Sequence, residues 1–87
     1  MKFRVNNDIR ITELNKKTII LNEMSGICFS VENTGAYIIK CLIQKNTYNE
    51  IVELLSKKYD VSIEDAIDDL RNFLQSLEIN QIIEISN

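Results

Sequence analysis

The hydrophobic period of this chain changes once, across Val31-Glu32-Asn33-Thr34-Gly35-Ala36-Tyr37-Ile38. Before this junction apolar and polar residues alternate, as in half-buried strands; after it the spacing is helical nearly to the end. Asn33 or Thr34 is suited to cap the first helix, by accepting hydrogen bonds from its free N–H groups. Gly35 and Ala36 leave room for that helix to press closely on a sheet. Strands followed by helices give an α+β fold: a three-stranded antiparallel β-meander followed by three helices. Such an order leaves one outer strand beside a helix, a place that suits an extended peptide.

The strands read clearly. Ile9 and Ile11 alternate with Arg10 and Thr12 in a first strand running to Leu14, and Asn15-Lys16-Lys17 is a polar turn. Thr18 to Asn22 follows, with Ile19 and Leu21 on one face and Ile20 on the other. Glu23-Met24-Ser25-Gly26 makes the next turn, Gly26 supplying a permissive backbone. Ile27, Phe29 and Val31 then alternate with Cys28, Ser30 and Glu32 in a third strand. Short connections of this kind favour a meander.

In the first helix, Ala36, Ile39, Leu42 and Ile43 fall at helical spacing, with an end near Lys45-Asn46. Thr47 with Glu50 three residues on reads as a capping box, opening a second helix that presents Ile51, Leu54 and Leu55 and ends around Tyr59-Asp60. Ser62 with Asp65 repeats the device more weakly, and a third helix is expected over Ile63 to Ile79. Ile82, Ile83 and Ile85 form an apolar tail that either adds a strand or simply packs.

The third helix is lopsided. At about 100° per residue counted from Ile63, the residues Ile67, Leu70, Leu74 and Leu77 lie within about 40° of it, the expected core stripe. Arg71, Glu64, Gln75 and Asp68 form a polar flank. On the other flank come Ala66 and Phe73, then Asp69 and Ser76. The apolar surface therefore spills to one side only. One account makes Phe73 a core residue of a wide stripe; the other makes it one wall of a groove, with Ala66 as floor and Asp69 and Ser76 on the lip.

The bulk properties narrow the function. The 87 residues form one small domain, 1–87, with 45% hydrophobic residues for a single core. No apolar run approaches the ~20 residues that cross a membrane. The start of the chain lacks a secretory signal, so a cytoplasmic protein without membrane partners is expected. The absence of histidine excludes Ser-His-Asp and Cys-His catalysis. Cys28 and Cys41 read as reduced thiols, Cys28 on a strand and Cys41 buried in a helix, rather than a zinc site. Two glycines, Gly26 and Gly35, cannot build a phosphate-binding loop. No catalytic residue, cofactor or metal is expected.

Taken together, the residues resemble the PqqD-like family, peptide-binding domains also called RiPP recognition elements. The resemblance rests on Val31-Glu32-Asn33-Thr34-Gly35 at the joint and on Ile38-Ile39 in the first helix. It continues through Tyr48-Asn49-Glu50-Ile51-Val52 with Leu54-Leu55, and Asp69-Leu70-Arg71-Asn72-Phe73-Leu74-Gln75-Ser76-Leu77. It covers roughly Thr18 to Ile83, and order and spacing carry it more than any one motif. Two departures stand out. Lys45-Asn46 replaces the family's frequent Asp-Gly, with Asn46 able to take the left-handed turn, and Asn80-Gln81 stands where a glycine is usual.

The resemblance implies a winged helix-turn-helix-like domain that binds the leader of a ribosomally made precursor peptide. The leader would join as an extra strand along the third strand, against the third helix. Carried over, the backbone of Ile27, Cys28, Phe29, Ser30 and Val31 would supply the ladder, with Cys28 and Ser30 facing outward. Ala66 and Phe73 would receive an apolar leader residue, and Asp69 would attract a basic one. The partner implied is a modifying enzyme: a radical-SAM enzyme, a lasso-peptide leader peptidase or a cyclodehydratase.

Two rival readings differ in class. A winged-helix DNA binder would neutralise phosphates with Lys and Arg, yet the third helix offers Glu64, Asp65, Asp68 and Asp69 against Arg71 alone. From Asp60 to Asn87 seven acids face one base, a balance of −6, whereas Met1 to Tyr59 holds nine bases and six acids, +3. Lys16-Lys17 and Lys57-Lys58 read as solvated surface pairs, so nucleic acid is not an expected partner. The third reading is a homodimer in which Phe73 and the open strand edge pack against a second copy.

Overall fold

The computed structural model describes residues 2–86. Its elements run β1 (Lys2–Val5), β2 (Ile9–Glu13), β3 (Lys17–Asn22), β4 (Cys28–Glu32), α1 (Asn33–Ile43), α2 (Tyr48–Tyr59), α3 (Ile63–Ile79) and β5 (Ile83–Ser86). The expected meander is β2-β3-β4, antiparallel throughout and followed by three helices. A second, two-stranded sheet joins the ends of the described chain, with Lys2 opposite Ser86 and Val5 opposite Ile83. The tail thus forms a strand, and its partner β1 is one that local alternation did not reveal. Arg4 and Glu84 form an ion pair across it.

Facing residues show which side of the meander is covered. Thr18 and Ile20 of β3 are buried, and their neighbours Val31 and Phe29 on β4, with Ile11 on β2, lie on the same side. That side packs on the helices. Ile20 meets a core of Ile38 and Ile39 from α1, Ile51 and Leu55 from α2, and Leu70, Leu74 and Leu77 from α3. Asn22 shapes the β3–β4 turn by accepting from the N–H groups of Met24 and Ser25, at 3.0 and 3.2 Å. Gly26 closes it at φ +76°, as expected of the glycine there.

β4 runs into α1 with no linker. The capping position is therefore Glu32, the last strand residue, and no side chain caps the helix. Asn33 already belongs to the helix and takes φ +53° to make the corner, so neither it nor Thr34 serves as the expected cap. The box at α2 is complete: the Thr47 N–H donates to Glu50 at 2.7 Å and the Glu50 N–H to Thr47 Oγ1 at 3.2 Å. At α3 only half forms, with the Asp65 N–H donating to Ser62 Oγ at 3.0 Å. The shorter acid does not return the bond. After α1 it is Lys45, not Asn46, that turns left-handed, at φ +62°.

Tyr37 and Cys41 lie one turn apart on the same side of α1. Burial pushes the Cys41 thiol up from its ordinary value. Burial likewise raises the Tyr37 phenol, with Cys41 adding to the rise. The rings of Tyr37 and Tyr59 meet edge to face at 6.1 Å, and the Lys58 ammonium lies 4.8 Å from the Tyr37 centroid. Lys58 stays exposed, as expected of a surface lysine, while its ammonium also lies 5.9 Å from the Tyr59 centroid.

Candidate peptide-binding site

β4 is the end strand of its sheet, and β5, which could have covered it, is paired with β1 instead. Which backbone groups β4 offers follows from the phase of its ladder. The Asn22 N–H donates to the Ile27 carbonyl at 2.9 Å. In an antiparallel pair, residues that exchange hydrogen bonds alternate with residues that do not. Ile27, Phe29 and Val31 therefore turn their backbone groups inward to β3. The outward groups belong to Cys28 and Ser30, with the Glu32 N–H beyond them. The Glu32 carbonyl is committed to the first turn of α1 as its N-cap. Within the expected stretch Ile27 to Val31 the outward groups are those of Cys28 and Ser30, and the Glu32 N–H adds a fifth.

Side chains sort in the same alternation. Phe29 and Val31 are half-buried and point to the helices; Cys28 and Ser30 are exposed on the far face. Ile27 is 54% exposed at the mouth of the turn. An extended segment laid along β4 would send every second side chain toward the helices, level with Phe29 and Val31.

At that level the N-terminus of α1 meets α3 and leaves a shallow cleft of about 260 Å³, lined by Thr34, Gly35, Ile38, Asp69, Asn72 and Phe73. Phe73 is half-buried, so one part of its ring packs on the core while the rest walls the cleft. Gly35 makes the wall possible. A β-carbon there would stand 3.0 Å from Phe73 Cε1, 3.2 Å from Cζ and 3.5 Å from Val31 Cβ. The missing side chain lets the ring lie against α1 beside the edge strand.

The expected site residues fare differently. Phe73 and Asp69 line the cleft together. Ala66 does not floor it: at 0% exposure it is sealed in the core. The buried stripe of α3 is Ala66, Leu70, Leu74 and Leu77, and Ile63 is 47% exposed at the helix start. The stripe is therefore centred closer to Leu70 than to Ile63, and Ala66 falls inside it. Ser76 is exposed one turn beyond the cleft, which ends at Phe73. Thr34, Ile38 and Asn72 line the cleft but are not among the expected site residues. For Asn72 the available signal was its position three residues after Asp69, on the same row of α3.

Among the described residues, no cluster of three or more Cys, Asp or Glu stands ready to hold a metal ion. No helix of the described chain is long and apolar enough to cross a membrane.

The family of coenzyme PQQ synthesis protein D (PqqD) matches residues 17–83 of the chain. No curated protein matches it in sequence. Two solved structures share its fold. One is TbiB1 in complex with the TbiA(beta) leader peptide, 23% identical with a TM-score of 0.90 over 100% of this chain and 99% of that one. The other is a lasso peptide synthetase B1 complexed with the leader peptide, 22% identical with a TM-score of 0.89 over 98% of this chain and 100% of that one.

Proposed function

The chain belongs to the PqqD family, and from that premise we propose that it is a leader-peptide-binding partner domain in the biosynthesis of a ribosomally made, modified peptide. The observation that carries the reading is the open edge of β4 beside the Phe73 cleft. Both structural neighbours are described as complexes with leader peptides. The leader joins β4 as an added strand, bonded to Cys28, Ser30 and the Glu32 N–H. Each such bond contributes about 1 kcal/mol net. An apolar leader side chain level with Val31 rests against Phe73, for about 1.5–3 kcal/mol if fully buried. Asp69 at the rim favours a basic neighbour. Ile27 and Ser76 flank this site, and Ala66 belongs to the core rather than to the site.

The chain binds and presents; the chemistry belongs to a separate modifying enzyme or leader peptidase, working in the cytoplasm where the precursor is made. The test is a titration of ¹⁵N-labelled protein with the leader of a precursor encoded beside this chain. Saturable shifts at the amides of Cys28, Ser30 and Glu32 are expected. Shifts confined to other elements, or a persistent dimer that buries β4 and excludes the leader, would overturn the reading.

A further inference from the structure

A second open edge lies on β1. The Asn6 N–H donates to the Ile82 carbonyl at 3.0 Å, continuing the register that sets Lys2 opposite Ser86 and Arg4 opposite Glu84. By the alternation of an antiparallel pair, Lys2 and Arg4 turn their backbone groups toward β5. Those of Phe3 and Val5 point the other way, where β1 has no neighbouring strand among the described residues.

That unpaired side faces a cleft of about 710 Å³. All four residues of β1 line it, and buried Ile83, opposite Val5 on β5, is its one lining residue from the paired side. The opposite wall is apolar, built from Ile9 and Ile11 of β2 and from Leu42 and Ile43 at the end of α1. Ile43 is 43% exposed on this wall. The cleft lies away from the Phe73 site and shares no lining residue with it.

Its charge has one sign. Lys2, Arg4 and Lys45 line the cleft and no acid does. The strand already on the other side of β1 shows what sequence suits this position. It reads Ile83-Glu84-Ile85-Ser86, apolar residues alternating with an acid, and Glu84 pairs with Arg4. A second strand of the same pattern would set carboxylates across from Lys2 and Arg4 and apolar side chains against Ile9, Ile11 and Ile43.

We propose that the β1 cleft is a docking site for an extended segment of a partner protein in which acidic and apolar residues alternate, added as a strand to the free edge of β1. The backbone of Phe3 and Val5 supplies the ladder, Lys2 and Lys45 select acidic residues beside Arg4, whose charge Glu84 already meets, and the Ile wall takes the apolar ones. The site is independent of β4, so both segments fit at once.

The probe is a blocked hexapeptide, Glu-Val-Asp-Ile-Glu-Val, titrated into the ¹⁵N-labelled full chain. Three controls go with it: the same peptide with Lys at each acid, the same peptide N-methylated at alternate residues, and the protein variant Lys2→Glu/Lys45→Glu. Saturable shifts at Phe3, Val5 and Ile43 are expected, with Cys28 and Ser30 unmoved. The Lys peptide, the methylated peptide and the double variant should each bind at least tenfold more weakly. Both substituted lysines are exposed, and circular dichroism checks that the variant is folded. Absence of saturable shifts, shifts confined to β4, or equal binding of the Lys peptide would overturn the proposal. So would concentration-dependent shifts at Phe3 and Val5 without peptide, which would assign the cleft to a second copy of the chain.

Discussion

Gly35 and Phe73 meet with no side chain between them: a β-carbon on Gly35 would lie 3.0 Å from Cε1 of the ring. Two helices far apart in sequence are thereby brought together at the edge of β4, and the ring is held upright as a wall. Gly35→Ala must displace the ring or α1. Overpacking of this kind costs about 1–3 kcal/mol. A lower melting temperature together with weaker leader binding is expected, and Gly35→Ala at full stability with unchanged binding would show that the contact does not shape the site.

Phe73→Ala removes the wall while leaving the strand edge intact. It should weaken leader binding at least tenfold, whereas Gln75→Ala, exposed on the opposite flank of α3, should leave it within about twofold. Calorimetric titration of both variants, each checked for fold by circular dichroism, decides the matter. Equal effects would remove Phe73 from the site.

Asp69 is exposed at the rim of the cleft. Asp69→Lys should weaken a leader that carries Lys or Arg near its anchor by several-fold, and raising salt should shrink the difference, because exposed charges are screened. A salt-independent loss would point to misfolding instead, and no loss at all would take Asp69 out of recognition.

Much of this architecture was legible locally. The period of α3 and its Ser62 cap gave its bounds, Thr47 with Glu50 gave the start of α2, and the angular offset of Phe73 from the Leu stripe marked it as a flank residue. What escaped depends on long-range pairing. Lys2–Val5 is four residues long, and only its meeting with β5 at the far end of the chain makes it a strand. Ala66 was misplaced because the stripe was counted from Ile63, which projects past the core at the helix start. The phase of β4 depends on a single bond between Asn22 and Ile27, which alternation of side chains along a strand cannot reveal. Gly35 pointed to a close approach, but that its neighbour would be a ring from α3 is a property of the packed fold.

The two thiols should differ sharply. Cys28 is exposed and Cys41 buried, and burial raises the Cys41 pKa. In the native state only Cys28 should react with a maleimide at neutral pH. Both Cys41 and Tyr37 hold their protons more tightly folded than unfolded. Their contribution to stability is therefore complete below the unfolded-state values of about 9 and 10 and is lost as pH rises through the higher folded ones. Melting temperature should fall above about pH 9, and Cys41→Ala should lessen that dependence while lowering stability at neutral pH. A flat alkaline profile would show that neither group titrates differently on folding.

Gln81 takes φ +61° between α3 and β5, a conformation that costs a residue with a β-carbon about 1–2 kcal/mol. The same corner is clamped from outside, since the Asn6 side chain donates to the Gln81 carbonyl and the Asn6 N–H to that of Ile82. Glycine removes the steric cost but adds freedom to the unfolded chain, worth up to about 1 kcal/mol in the other direction. The steric term is the larger, so Gln81→Gly should stabilise by up to about 1 kcal/mol, and Gln81→Val, branched at Cβ, should destabilise by more than that. Asn6→Ala should lower stability in either background because it releases the clamp that joins the two ends of the chain. Denaturant titration of these variants tests the account. A destabilised Gln81→Gly protein would mean that the glutamine side chain, and not only its backbone, holds β5 against β1.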